Sequence, residues 1–213
     1  MPGQVRMRAH NVDLSEKKAP RQARARATVA ALLDATARIL ERGGYAALTT
    51  NRIAEVAGVS VGSVYEYFPN KQAIVARLVA RTMHEIVEEV AAGLAELLQT
   101  PDRRHAFRQW FTVMMDAVEK RRALLKVLRR EVPFAANVPE AARFYESMLN
   151  IADLGRAQSE SEGVLRLRDP EATIYLLTVM VGAAIERSVF DPPPELSRER
   201  LIETLVEMVL KLL

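Results

Sequence analysis

Apolar residues recur along this chain at three- and four-residue intervals, in blocks punctuated by glycine, proline and capping residues, and no segment shows the two-residue alternation of a strand. The pattern therefore predicts helices throughout. Leu32, Leu33, Thr36, Ala37, Ile39 and Leu40 make an amphipathic helix from Thr28 to Arg42, closed by Gly43. Thr49 or Thr50 caps a second helix whose buried side is Ile53, Ala54 and Ala57, and Gly58 stops it. Ser60 starts a third, short helix that buries Val64 and Phe68. Asn70 caps a long helix from Lys71 to about Leu98, with Ile74, Leu78, Ile86, Val90, Leu94 and Leu97 on one side.

Thr100-Pro101-Asp102 breaks that pattern. Helices follow from Arg103 to Lys120 and on to Glu131, where Pro133 punctuates, and from Pro139 until the sequence fades into polar Ser159–Gly163. Asp169-Pro170-Glu171 combines a capping carboxylate, a first-turn proline and an acid near the positive helix end, predicting a helix to about Val189. Its longest apolar run, Ile174 to Ile185, is well short of the roughly twenty residues a bilayer requires, so it reads as a buried helix. Pro192-Pro193-Pro194 forces an extended link, and Ser197 opens a last helix ending at Leu213.

The stretch from 49 to 68, TTNRIAEVAGVSVGSVYEYF, is a helix, a sharp glycine turn and a second helix, an arrangement suited to the major groove of DNA. The face opposite Val64 and Phe68 offers Val61, Gly62, Ser63, Tyr65 and Tyr67. Ser60 and Ser63 can hydrogen-bond bases or phosphates, the Val61 methyls can meet a thymine methyl, and Gly62 lets the backbone come close. Tyr65, Tyr67 and Lys71 can position the duplex through phosphates, and Thr49, Thr50 and Asn51 stand where a preceding helix reaches phosphate or a groove edge. Tyr65 and Tyr67 cannot share one face, so the alternative is that one ring packs inside.

The order Gly43-Gly44-Tyr45, Leu48-Thr49-Thr50, Ile53-Ala54, Ala57-Gly58-Val59-Ser60, Tyr65-Tyr67-Phe68 and Asn70-Lys71 resembles the tetracycline-repressor (TetR/AcrR-like) family of bacterial transcriptional regulators. The resemblance runs from about Ala25 to Ala80. It implies an all-α homodimer with a three-helix helix-turn-helix domain over residues 23–82 and a helical effector-binding and dimerisation domain over 83–213. Residues 1–22 would be a flexible basic arm, either a free tail or a strand along the DNA backbone or minor groove through Lys17, Lys18 and Arg21, with Arg24 and Arg26 beyond it. The implied partners are a palindromic double-stranded operator, a small-molecule effector and a second copy of the chain. A ligand-independent DNA-binding or DNA-organising protein is the alternative.

The same resemblance puts Trp110, Phe111, Met114, Phe144, Met148 and Tyr175 around an effector cavity, with Met115, Phe134, Tyr145 and Met180 in the same segments, although aromatic and methionine residues at helical spacing also serve as ordinary core. It likewise makes Ile174, Leu177 and Val181, with Leu201, Leu205 and Met208, half of an intersubunit four-helix bundle, the alternative being an intramolecular core.

Charge sharpens this picture. The net charge is only +3, but residues 1–71 hold 11 Lys/Arg against 6 Asp/Glu while the remainder holds 19 against 21, so positive potential gathers beside the helix-turn-helix. There is no cysteine, and 49% of the residues are hydrophobic, enough for a sizeable core. The start of the chain lacks a signal-peptide core, pointing to a cytoplasmic protein without a membrane partner. His10, His84 and His105 are scattered, no nucleotide-binding glycine loop occurs, and no metal, cofactor or catalytic set is expected. The sequence reads as a regulator and not as an enzyme.

Overall fold

A computed structural model describes residues 14, 15, 17, 22–135, 138–161, 163 and 167–212. Among these every regular element is helical: α1 (Ala23–Gly43), a 3-10 turn (Tyr45–Ala47), α2 (Thr50–Ala57), α3 (Val61–Tyr67), α4 (Lys71–Gln99), α5 (Arg103–Glu119), α6 (Arg122–Glu131), α7 (Pro139–Ser161), α8 (Pro170–Phe190) and α9 (Arg198–Leu212). The chain divides into two compact units, one ending at Leu78 and the other beginning at Val79, so the division falls inside α4.

Local chemistry sets the helix limits. The Thr49 hydroxyl accepts the Arg52 N–H at 3.1 Å and the Ser60 hydroxyl accepts that of Ser63 at 3.1 Å, while Asn70 Oδ1 takes the Ala73 N–H at 2.8 Å. Each such bond satisfies a backbone donor that the first helical turn leaves open. Gly58 adopts φ 69° and ψ 32° and so turns the chain between α2 and α3. Glycine reaches this left-handed conformation without a side-chain clash. Asp102 and Asp169 cap α5 and α8 in the same way as Thr49 and Ser60, with Pro170 in the first turn of α8. α1 starts five residues before the periodicity predicts it. Its opening Ala23-Arg24-Ala25-Arg26-Ala27 is strongly helix-forming but buries no apolar face, so a pattern search passes over it.

In the first unit Leu32, Leu40, Leu48, Ile53, Val64, Phe68 and Ile74 are fully buried, drawing α1 to α3 and the start of α4 into one core. The buried Thr36 hydroxyl donates to Leu32 O at 2.8 Å. No polar atom of that side chain is therefore left unmet. In the second unit one cluster joins α5, α8 and α9 through Phe111, Met115, Ile185, Val189, Ile202 and Val206, and another joins α4, α5 and α7 through Ile86, Val90, Leu94, Ala117 and Ile151. Gly93 makes room for Trp110, since a Cβ there would lie 3.0 Å from the indole Cδ1, and the indole N–H donates to Val90 O at 3.0 Å. Arg121 ties the α5–α6 corner to α4: it donates to Glu85 at 3.2 Å and to Glu89 at 2.6 Å.

α8 departs from its expected burial. Only 11% of its most apolar window is buried, and by length and composition it is a helix that could cross a membrane. Tyr175, Leu176, Val179 and Met180 are exposed along one side, because the rest of the described chain covers only the opposite side.

Candidate nucleic-acid interface and effector cavity

The helix-turn-helix is locked from within. Thr50 Oγ1 and the Tyr65 hydroxyl lie 3.1 Å apart, a hydrogen bond that fixes α2 against α3, and the Ser60 and Ser63 hydroxyls lie 2.9 Å apart at the start of α3. Val61 and Tyr65 are exposed at 38% and 45%, and Thr49, Asn51, Ser60 and Gly62 are also exposed. These residues form one accessible side of α2 and α3. Tyr67 does not belong to it: its ring is 6% exposed, taken into the core one residue before Phe68, so the inward alternative holds. The sequence expectation placed it on the wrong side because Tyr65 and Tyr67 lie about 200° apart on a helix.

Lys71 is held by the protein, its ammonium donating to Leu48 O at 2.9 Å and lying 4.4 Å from the Tyr45 ring centroid. The second contact is a cation–π attraction. This leaves further N–H donors on the same nitrogen. Lys17 adds a contact that periodicity could not foresee. Its backbone N–H donates to Tyr67 O at 2.8 Å and its ammonium to Tyr65 O at 3.3 Å. A cation thus sits on the carbonyls at the end of α3, where the helix dipole favours positive charge. The arm residues Lys18 and Arg21 lie outside the described residues, and Arg24 and Arg26 begin α1.

Within the second unit a cavity of about 510 Å³ opens among α4, α5, α7 and α8. Trp110, Phe111, Met114, Phe144 and Met148 line it, as do Leu94, Tyr145, Gly155, Arg156 and Thr178. Tyr175 does not; it is 53% exposed and stands edge-on to Tyr145, with ring centroids 6.3 Å apart. One turn of α8 carries both outcomes, since Thr178 faces the cavity and Tyr175 faces away.

The expected dimer set divides similarly. Ile174, Leu177 and Val181 line the cavity, Leu205 packs against the core cluster of α5, α8 and α9, and Leu201 lines a second, smaller pocket beside Met115 and Pro192. Of the six only Met208 is exposed, at 43%. The sequence shows a broad apolar girdle on α8 without showing which half of it the other helices cover.

With this geometry in view, residues 32–78 match the family model for bacterial regulatory proteins of the tetR family. That segment is of the tetR family. A segment of 55 residues is 40% identical to the HTH-type transcriptional repressor KstR of Rhodococcus jostii (strain RHA1), covering 26% of each chain. The fold likeness extends further. A TetR-family transcriptional regulator from Mesorhizobium loti MAFF303099 superposes with a TM-score of 0.74 at 20% identity, over 89% of this chain and 98% of that one. The transcriptional regulator FadR of Bacillus subtilis, solved in complex with stearoyl-CoA, does so with 0.64 at 18% identity, over 86% and 98%. The chain, with a tetR-type segment whose helix-turn-helix turns at Gly58, is accordingly a DNA-binding transcriptional regulator. Among the described residues no three His, Cys, Asp or Glu side chains gather as a metal site.

Proposed function

We propose that this regulator is a cytoplasmic homodimeric repressor that holds a palindromic operator and releases it when a small molecule occupies the cavity of the second unit. The cavity carries this reading: its volume lies within the range of drug-sized sites, and its walls are apolar and aromatic with a few polar groups. KstR, similar over a short segment, is a repressor, and FadR, similar in fold, was solved with a bound ligand. Ser60, Val61, Gly62 and Ser63 read the groove in this proposal, while Thr49, Thr50, Asn51, Tyr65 and Lys71 hold phosphates.

The second copy covers the exposed side of α8. Tyr175, Leu176, Val179 and Met180 form a contiguous apolar strip. Strips of this kind on soluble proteins mark interaction surfaces. Met208 on α9 offers a further exposed apolar side chain.

Selection from a randomised duplex pool tests the DNA half of the proposal. The expected result is a palindrome with half-sites about one helical turn apart and affinity that falls steeply with salt as phosphate counterions rebind. Gly62→Ala should alter the preferred sequence without loosening the fold, since its Cβ would meet only the Ser60 hydroxyl at an ordinary 3.6 Å. Equal affinity for all duplexes at matched salt would refute operator recognition.

A further inference from the structure

The cavity's polar groups fall into two classes. Arg156 is neutralised by Asp153, at 2.7 Å, and by Glu160, and Glu186 is neutralised by Arg129. The Trp110 N–H is already committed to Val90 O. Every charged group in the wall thus has its counter-ion within the protein, and an ionised occupant would enter an apolar space with no charge left to meet it.

Two hydroxyls behave differently. Tyr145 Oη and Thr178 Oγ1 are buried and find no hydrogen-bond partner among the described residues. For Thr178 this is a choice of rotamer. Helical hydroxyls elsewhere in the chain turn back on their own backbone, Thr112 onto Arg108 O at 2.8 Å, Thr204 onto Arg200 O at 2.8 Å and Ser188 onto Ala184 O at 2.6 Å. Such back-bonding is the usual local option for a hydroxyl inside a helix. Thr178 does not make that bond, and it lines the cavity. Tyr145 stands against Tyr175, three residues before Thr178 on α8, so both hydroxyls mark the α7–α8 side of the space. Burial, and after it the charge and the nearness of the Tyr175 hydroxyl, raise the Tyr145 pKa above that of an ordinary phenol, although no hydrogen bond of good geometry joins the two. Buried hydroxyls are nearly always paired, so the Thr178 hydroxyl, with Tyr145 beside it in the cavity wall, is left for an occupant.

Resting on the effector reading of this cavity, we infer that it takes a neutral, largely apolar molecule whose carbonyl or hydroxyl oxygen hydrogen-bonds to Tyr145 and Thr178. Size and aromatic lining allow fused rings, and the neutral wall discriminates against carboxylates of the same shape.

Calorimetric titration of the DNA-free protein with fluorene, 9-fluorenone and fluorene-9-carboxylate tests this, with fluorescence of Trp110, the sole tryptophan, reporting that binding occurs in the cavity. The ketone should bind about tenfold more tightly than the hydrocarbon, as one or two good hydrogen bonds allow, and the carboxylate more weakly than either. Tyr145→Phe with Thr178→Val should erase the ketone's advantage while leaving fluorene affinity unchanged. It should also raise the melting temperature of the ligand-free protein, because two unpaired buried hydroxyls are replaced by apolar groups of like shape. Carboxylate binding equal to that of the ketone, a preference that survives the double variant, or no binding of any of the three overturns the inference. A cavity ligand that binds in the predicted order and leaves duplex affinity unchanged overturns the effector reading alone.

Discussion

Tyr65 and Tyr67 are two residues apart and have opposite fates. The Tyr65 hydroxyl reaches Thr50 from the exposed side of α3, so Tyr65→Phe removes a link between α2 and α3 and a proposed phosphate donor while leaving the core intact. Its expected effect is weaker binding to all duplexes alike, with an unchanged denaturation midpoint. Tyr67 is buried, so Tyr67→Ala empties a core site. The loss should be about 3–5 kcal/mol of stability, the range for truncating a buried aromatic ring. Urea denaturation and fluorescence anisotropy on both variants separate the two roles; a stable Tyr67→Ala protein would place that ring outside the core. At this scale the sequence was legible wherever a residue's role is local. The caps at Thr49, Ser60 and Asn70 and the left-handed Gly58 depend on close neighbours in the chain, and all are found in the structure. The inward turn of Tyr67 depends on what surrounds α3 from elsewhere in the chain, which the period of so short a helix cannot state.

For whole helices the same limit recurs on α8. Its apolar girdle was plain in the sequence, but the covered side, Ile174, Leu177 and Val181, and the open side, Tyr175, Leu176 and Met180, with Val179 at the edge between them, differ only in which neighbouring helices reach them. Trp110, Phe111, Met114, Phe144, Tyr145 and Met148 line the cavity, as the family resemblance implies, whereas Thr178 carried no signal in a one-dimensional pattern. The two sides of α8 should respond differently to charge. Leu176→Glu puts an unpaired carboxylate in the proposed intersubunit contact and should give a folded monomer by sedimentation velocity, since an unpartnered charge in a desolvated interface costs about 3–5 kcal/mol. Leu177→Glu should instead lower stability or cavity affinity. A Leu176→Glu protein that remains dimeric moves the interface elsewhere.

The α4–α5 junction makes a separate, pH-dependent prediction. Hydrogen bonding from Arg121, and then from Lys120, holds the Glu89 carboxyl below the usual carboxylate range despite opposing burial. A depressed folded pKa means that the stabilisation is complete above the ordinary carboxylate range and is lost as pH falls through the lower, folded value. Urea midpoints should therefore drop on acidification below about pH 5 less steeply in Glu89→Gln than in the parent protein. Equal slopes would mean that Glu89 gains nothing from its pairing.

Across the whole molecule, α4 is one unbroken helix of 29 residues that contributes to both compact units. At roughly 1.5 Å per residue it is about 44 Å long. The proposed switch requires the two binding events to oppose each other. By linkage, an occupant that lowers duplex affinity by some factor must itself bind the duplex-loaded dimer more weakly by the same factor, and one that binds both states equally shifts nothing. The decisive measurement uses the compound that most raises the melting temperature in a screen of neutral, drug-sized molecules, titrated into free dimer and into dimer saturated with the selected palindrome. A ligand dissociation constant at least about fivefold higher in the DNA-bound state, matched by an equal loss of duplex affinity at saturating ligand, is the predicted result, at the lower end of typical allosteric coupling of about 1–3 kcal/mol. Identical ligand affinity in the two states would contradict it.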